Sequence, residues 1–250
     1  MLNMHVTLQF HPDWVFGDDL VIEAIARDGR YRSQFETGTS NGGLTAYEGG
    51  DRWRWESRLF IGRYDGAADS ERPVYGALNF ADDSYGGSVR FGSAYLRLSE
   101  DAVSRCTFCF PDSVFEPKAV TGWDGVEDLI RLARASELDS LDRYVEAHVH
   151  GQVSIGRDVE ALVLDPCYRG TDVESAAGRL DCRVEWHPGF STATASLDRN
   201  YRGAEHVELA RSMGSVLTPD LIGQAARSRE YDGQALKKVW HYLARFGKQA

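Results

Sequence analysis

The chain opens on a period-two alternation. Val6, Leu8 and Phe10 are apolar while Thr7 and Gln9 are polar, which predicts a strand over residues 6–10 that buries one face. His11-Pro12-Asp13 ends it. Leu20, Ile22 and Ile25 then recur at helical spacing and predict a helix over residues 18–26, stopped by Gly29. Residues 30–35 read as a short extended segment, and strand signals return at 74–80, 89–98 and 102–110. Val126, Leu129, Ile130 and Ala133 predict a helix over 123–135. Two further strands are expected at 144–150 and 159–164. Past Pro166 the texture changes: a helix over 173–180, an extended run over 182–187, then helices over 205–213, 219–228 and 233–246. The pattern predicts an α+β fold, with a core over residues 1–165 and a mostly helical C-terminal extension over 166–250 packed on it.

With 250 residues the chain can bury roughly three-quarters of its unfolded surface, so a full core needs no disulfide staples. The net charge of −10 argues against a whole-surface binder of DNA, RNA or anionic lipid, because that binding rests on Lys and Arg neutralising phosphates. A local cationic groove is compatible with it. Only Lys118, Lys237, Lys238 and Lys248 are lysines among the 28 basic residues, so the positive charge is almost all Arg, the better fork for phosphate or carboxylate. No apolar run reaches membrane-spanning length and no signal-peptide pattern opens the chain. The expected location is the cytoplasm, or outside the cell by a route without a classical signal. Cys106, Cys109, Cys167 and Cys182 are too few for a disulfide scaffold.

Several stretches could carry chemistry. From Tyr31 to Gly43 an Arg is followed by small hydrogen-bonding residues and glycines, a composition that suits a polyanion or nucleotide cradle and equally an ordinary solvated loop. In the 144–150 strand, Tyr144, Glu146, His148 and His150 share one face and Val145, Ala147 and Val149 the other. That polar row suits a catalytic carboxylate or a divalent metal, and also the exposed side of a half-buried strand. Truncating Glu146 on this polar face removes no core, so folding is expected to stay intact. Cys106 and Cys109 fall on opposite faces of their strand, which disfavours a shared metal; all four cysteines read as structural. Arg52-Trp53-Arg54-Trp55-Glu56 reads as a strand or turn with one Trp buried, or as a stacking platform for a ring.

The stretches Phe10-His11-Pro12-Asp13, residues 31–42, Tyr75-Gly76-Ala77-Leu78-Asn79, Arg90-Phe91-Gly92-Ser93-Ala94-Tyr95, Val149-His150-Gly151 and residues 159–166 are similar to the bacterial domain-of-unknown-function 3626 family. Residues 217–222 and 239–247 extend the likeness towards the C-terminus. That family more distantly resembles the ADP-ribosyltransferase superfamily, in which an early Arg, a middle-strand Ser and a later-strand Glu recur in order. Arg32, Ser93 and Glu146 fit that order.

The resemblance implies a split β-sheet core with flanking helices. It implies a mono-ADP-ribosyltransferase, a bacterial toxin or effector, with NAD as substrate, no metal and an unidentified macromolecular acceptor. Arg32 would hold NAD, and Ser93 would orient Glu146. Glu146 would stabilise the cation left as nicotinamide departs. Thr37, Gly38, Thr39, Ser40, Asn41 and Tyr95 would complete the NAD site. Tyr31 and Phe91 are alternatives to Tyr95 for stacking on the nicotinamide. Tyr144 stands where arginine-modifying members often carry a second Glu. Two rival readings are a metal-dependent hydrolase using His148, His150, His11 and Asp13, and a non-enzymatic nucleotide-binding or interaction module.

Overall fold

A computed structural model describes residues 4–38 and 44–250. Seven strands form one mixed sheet: β1 (His5–Phe10), β2 (Val74–Asn79), β3 (Ala94–Leu98), β4 (Cys106–Cys109), β5 (Val145–Val149), β6 (Val159–Leu164) and β7 (Arg183–Trp186). Their order is β7-β6-β3-β1-β2-β5-β4. Every neighbouring pair is antiparallel except β6 with β7.

The alternation read along each strand sorts the sheet into two faces. One carries Val6, Leu8, Leu78, Leu96, Leu98, Val145, Ala147, Leu162 and Leu164, all essentially inaccessible to water. Helices α1 (Val21–Asp28), α3 (Val126–Ala135) and α4 (Asp172–Ala177) cover this face through Ile22 and Ile25, Val126 and Ile130, and Val173 and Ala176. Burying a side chain of this size is worth about 1.5–3 kcal/mol, so this face supplies much of the driving force for the sheet. Between α1 and α3 in sequence lies α2 (Asp51–Leu59).

A second core gathers α5 (Ala204–Met213), α6 (Pro219–Ser228) and α7 (Gly233–Phe246) around Val207, Ile222, Val239, Trp240 and Leu243. Tyr85 and Val89 reach into it from the loop between β2 and β3. Residues 166–186 belong to the first core and not to the helical one: Tyr168, Val173 and Leu180 pack with the sheet, and β7 extends it.

Four segments differ from expectation. Of residues 30–35, expected to be extended, only Arg30–Tyr31 is a strand, and Gln34–Thr37 is a helical turn. Residues 102–110 are not one strand; Ser99 caps a helical turn over Glu100–Val103, and only Cys106–Cys109 is extended. Residues 89–98 open with a single turn of 3-10 helix before β3 begins at Ala94. Residues 51–59 are the helix α2 and not a strand or turn. Its buried positions are Arg52, Glu56 and Leu59, the i, i+4 and i+7 of a helix stripe, while the Trp alternation that suggests period two lies to the side.

Candidate active site around Glu146

The other face of the sheet is polar, and register shows which residues share it. Glu146 stands opposite Ala77 on β2 and Cys109 on β4, and His148 stands opposite Tyr75 and Thr107. Directly opposed residues point the same way, so Tyr75, Glu146, His148, Thr107 and Cys109 converge. The expectation that this row is solvent-exposed is corrected: Glu146 is 5% exposed and His148 fully buried. Two things cover it. Helix α2 brings in Arg52, and Phe60, which follows it, sets its ring edge-on to His148 and His150. The Ser113–Phe115 turn, capped by Asp112, closes from the other side.

The Glu146 carboxylate is fully engaged. Its Oε1 accepts from the Ser113 backbone N–H at 3.1 Å and lies 3.0 Å from His148 Nε2. Its Oε2 accepts from the Ser113 hydroxyl at 3.2 Å. That hydroxyl in turn accepts from Arg52 Nη1 at 3.0 Å. Burial acts to raise the Glu146 pKa. The hydrogen bond and charge of His148, with Arg52 and Ser113, outweigh it and hold the carboxyl below its ordinary value. Glu146 is therefore a buried carboxylate kept ionised.

A second buried acid lies beside it. Glu56 accepts from Tyr75 at 3.0 Å and pairs with Arg72 at 2.9 Å, yet burial pushes its pKa up to about 7. Arg52 stacks over the Tyr75 ring, 4.3 Å from its centroid, and Arg72 over Phe35 at 3.9 Å. Asp112 accepts from the Tyr144 hydroxyl; burial and then the neighbouring Glu146 raise its pKa.

The remaining candidates lie elsewhere. Arg32 pairs with Asp28 at 2.8 Å and rests over Phe16. Ser93 bonds Tyr168 at 2.9 Å, and Tyr168 donates to Asp13. Ser93 precedes β3, which β1 and β2 separate from β5, a gap of three strand spacings or about 14 Å. Among the described residues no hydrogen bond or ion pair joins Arg32, Ser93 and Glu146. Thr37 and Gly38 end the short helix Gln34–Thr37, with Gly38 in the left-handed conformation that closes it. Thr39, Ser40 and Asn41 lie outside the described residues.

Tyr95 is on the polar face, donates to Ser84 O at 3.0 Å and lines a cavity of about 490 Å³ with Asn79, Arg97, Glu185 and Trp186. Glu146 does not line that cavity. Tyr31 is a half-buried partner of Phe10, and Phe91 sets its ring edge-on to Tyr144.

The four-residue metal set does not assemble. His148 is at the site and His150 lies behind it, two hydrogen bonds away through the Thr107 hydroxyl, but His11 stacks on Trp14 and abuts Trp240. Asp13 pairs with Arg227. Of the cysteines, Cys106 joins the apolar core, whereas Cys109 faces Glu146 and His148.

Ser113, Tyr75 and Cys109 escape a sequence reading as site residues, and Arg52 is noticed there only as part of a stacking platform. The i, i+4 pair Arg52 and Glu56, between Gly50 and Gly62, is the signal that could have exposed α2. Nothing local marks Ser113, which meets Glu146 from 33 residues away.

No curated protein matches the chain. The model of one family matches residues 5–133 and 123–246, nearly the whole length, and the chain belongs to that family, described as a protein of unknown function (DUF3626).

Proposed function

We infer that the protein is a NAD-dependent mono-ADP-ribosyltransferase whose catalytic carboxylate is Glu146. The observation that carries this reading is that Glu146 is almost wholly buried yet meets donors at both oxygens, the Ser113 N–H and hydroxyl and His148 Nε2, as an ionised carboxylate does. A carboxylate in that state is the group needed where positive charge develops away from water. The reaction comes from the family's distant resemblance to the ADP-ribosyltransferases, which Glu146 still fits although Arg32 and Ser93 lie elsewhere. The bond between ribose C1′ and the nicotinamide nitrogen breaks, its electron pair neutralises the pyridinium, and the acceptor's nucleophile bonds C1′ and releases its proton to solvent. Glu146 accepts from the ribose 2′-hydroxyl and stabilises the oxocarbenium-like centre, an effect of about 3–4 kcal/mol for one well-placed group.

The reading keeps Glu146 and reassigns its partners. Ser113, hydrogen-bonded to Glu146, and Arg52, which reaches Glu146 only through the Ser113 hydroxyl, take the roles first expected of Ser93 and Arg32. Arg52 offers a guanidinium for the pyrophosphate, and Tyr75 beneath it a ring for stacking. Because α2 and the Ser113–Phe115 turn cover Glu146, this reading requires them to part before NAD can reach it.

The test is incubation of clean protein with labelled NAD, with and without a cell lysate. Nicotinamide release or a labelled acceptor is expected from the wild type, and Glu146→Gln should lower it by roughly 10²–10³-fold. Wild-type protein that neither binds nor consumes NAD sinks the reading.

A further inference from the structure

Two cysteines three residues apart on β4 meet opposite surroundings. Cys106 turns into the apolar core, as a buried free cysteine ordinarily does. Cys109 turns the other way, towards two good metal donors. Its Sγ lies 3.7 Å from Glu146 Oε1 and 3.7 Å from His148 Nε2, and those two atoms are 3.0 Å apart. All three residues are buried. We propose that Cys109 Sγ, Glu146 and His148 Nε2 form a site for a thiophilic divalent cation of the zinc class, whose binding silences Glu146.

Donor spacing fits such an ion. Zinc bonds of about 2.3 Å to sulfur and about 2.0–2.2 Å to nitrogen and oxygen, at tetrahedral angles, place donors roughly 3.3–3.6 Å apart. The observed triangle matches that to within a few tenths of an ångström. The donors sit on two paired strands, where Cys109 opposes Glu146 directly and His148 is the next residue on the same face. The site is therefore held by the sheet and not by loops.

The surroundings fit as well. A metal-bound imidazole needs its second nitrogen fixed. His148 Nδ1 meets the Thr107 hydroxyl at 3.1 Å, Thr107 meets His150 Nε2 at 2.9 Å, and His150 Nδ1 meets Tyr64 OH at 2.6 Å. This relay fixes the His148 ring with Nε2 towards the thiol. A sulfur donor selects zinc, cobalt or similar ions over magnesium and calcium. Three protein donors leave one tetrahedral position for water.

A cation here takes the carboxylate oxygen that would otherwise face the developing cation of NAD cleavage. Metal and turnover therefore exclude each other. That consequence rests on the reading of Glu146 given above; the cation site itself does not.

The experiment uses untagged full-length protein, reduced and freed of metal by a chelator, then titrated with Co²⁺. One equivalent should bind with a thiolate-to-cobalt charge-transfer band, displaced by Zn²⁺ and untouched by Mg²⁺. Cys109→Ser should abolish the band and Cys106→Ser retain it. Thr107→Val, which removes the hydroxyl between His148 and His150 and none of the three donors, should weaken binding by roughly 10–100-fold and keeps the test open if Cys109→Ser misfolds. Absence of stoichiometric cobalt, a band that survives Cys109→Ser, or unchanged affinity in Thr107→Val overturns the site. In a protein that turns over NAD, saturating Zn²⁺ should cut the rate at least tenfold; an unchanged rate overturns the silencing. A protein with the cobalt band but no NAD turnover when metal-free would retain the site and defeat the transferase reading.

Discussion

Arg52 and Glu146 meet through one hydroxyl. Ser113 Oγ donates to the carboxylate at 3.2 Å and accepts from the guanidinium at 3.0 Å, so one small side chain bridges a buried cation and a buried anion. Charge-assisted hydrogen bonds of this kind are stronger than neutral ones, and groups stripped of them inside a protein are costly.

Ser113→Ala removes the bridge and leaves a guanidinium N–H and a carboxylate oxygen each short of a partner. Unfolding in urea should show a loss of about 1–3 kcal/mol. The Glu146 pKa should rise, because one of the bonds that holds it low is gone. A stability equal to wild type would mean that water replaces the hydroxyl at no cost.

Glu146 itself is a harder residue to alter than the strand pattern suggests. Glu146→Ala should cost about 1–3 kcal/mol, because the buried Ser113 N–H and hydroxyl and the His148 ring lose their acceptor. Glu146→Gln keeps the shape and the hydrogen bonds from Ser113 and should cost less. Urea midpoints of the two variants measure the difference. Equal midpoints would indicate that the site floods with water in the alanine variant.

This reversal shows what the sequence can and cannot reveal here. The alternation at 144–150 correctly puts Tyr144, Glu146, His148 and His150 on one face, because a strand's period is a local property. Whether that face is wet depends on α2 and on Ser113, which arrive from other parts of the chain. Trp53 and Trp55 mislead for a related reason: two residues of period two look like a strand, while the burial of Arg52 and Glu56 follows from charged partners that composition cannot reveal. Cys109 looks like its neighbour Cys106 until the β4–β5 register sets it against Glu146. The seven strands were legible to within a few residues, apart from the helical turns at 89–91 and 100–103.

His241 carries a pH dependence of stability. Burial first, then the charges of Arg90, Arg202 and Lys238, lower its pKa to about 2. Between pH 2 and 6.5 the unfolded chain therefore binds a proton that the folded protein refuses. Its contribution is fully present above pH 6.5 and is lost as the pH falls, with a slope of up to ~1.4 kcal/mol per unit. His241→Phe should flatten the acid limb of a plot of unfolding free energy against pH. An unaltered limb would place the acid sensitivity in other groups.

Gly87 fixes the loop that crosses the middle of the polar face. Its N–H donates to Thr7 Oγ1 at 2.9 Å, and a Cβ there would stand 2.9 Å from the Ala77 carbonyl oxygen. Gly87→Ala should lift this loop off the sheet at a cost of about 1–3 kcal/mol. Faster hydrogen exchange over residues 83–88 would report it, and exchange rates like those of wild type would refute the packing argument.

The parallel pairing of β6 with β7 has a bearing on how the protein can be cut. A fragment ending at Asp165 would lose β7, and with it Tyr168, Val173 and Ala176 from the apolar face. Its new border would be Val159–Leu164, an apolar strand with one row of amide and carbonyl groups unpaired, the kind of surface on which chains template one another into aggregates. The strand that closes the sheet is thus a guard against self-association, and fragments for study should end beyond Trp186.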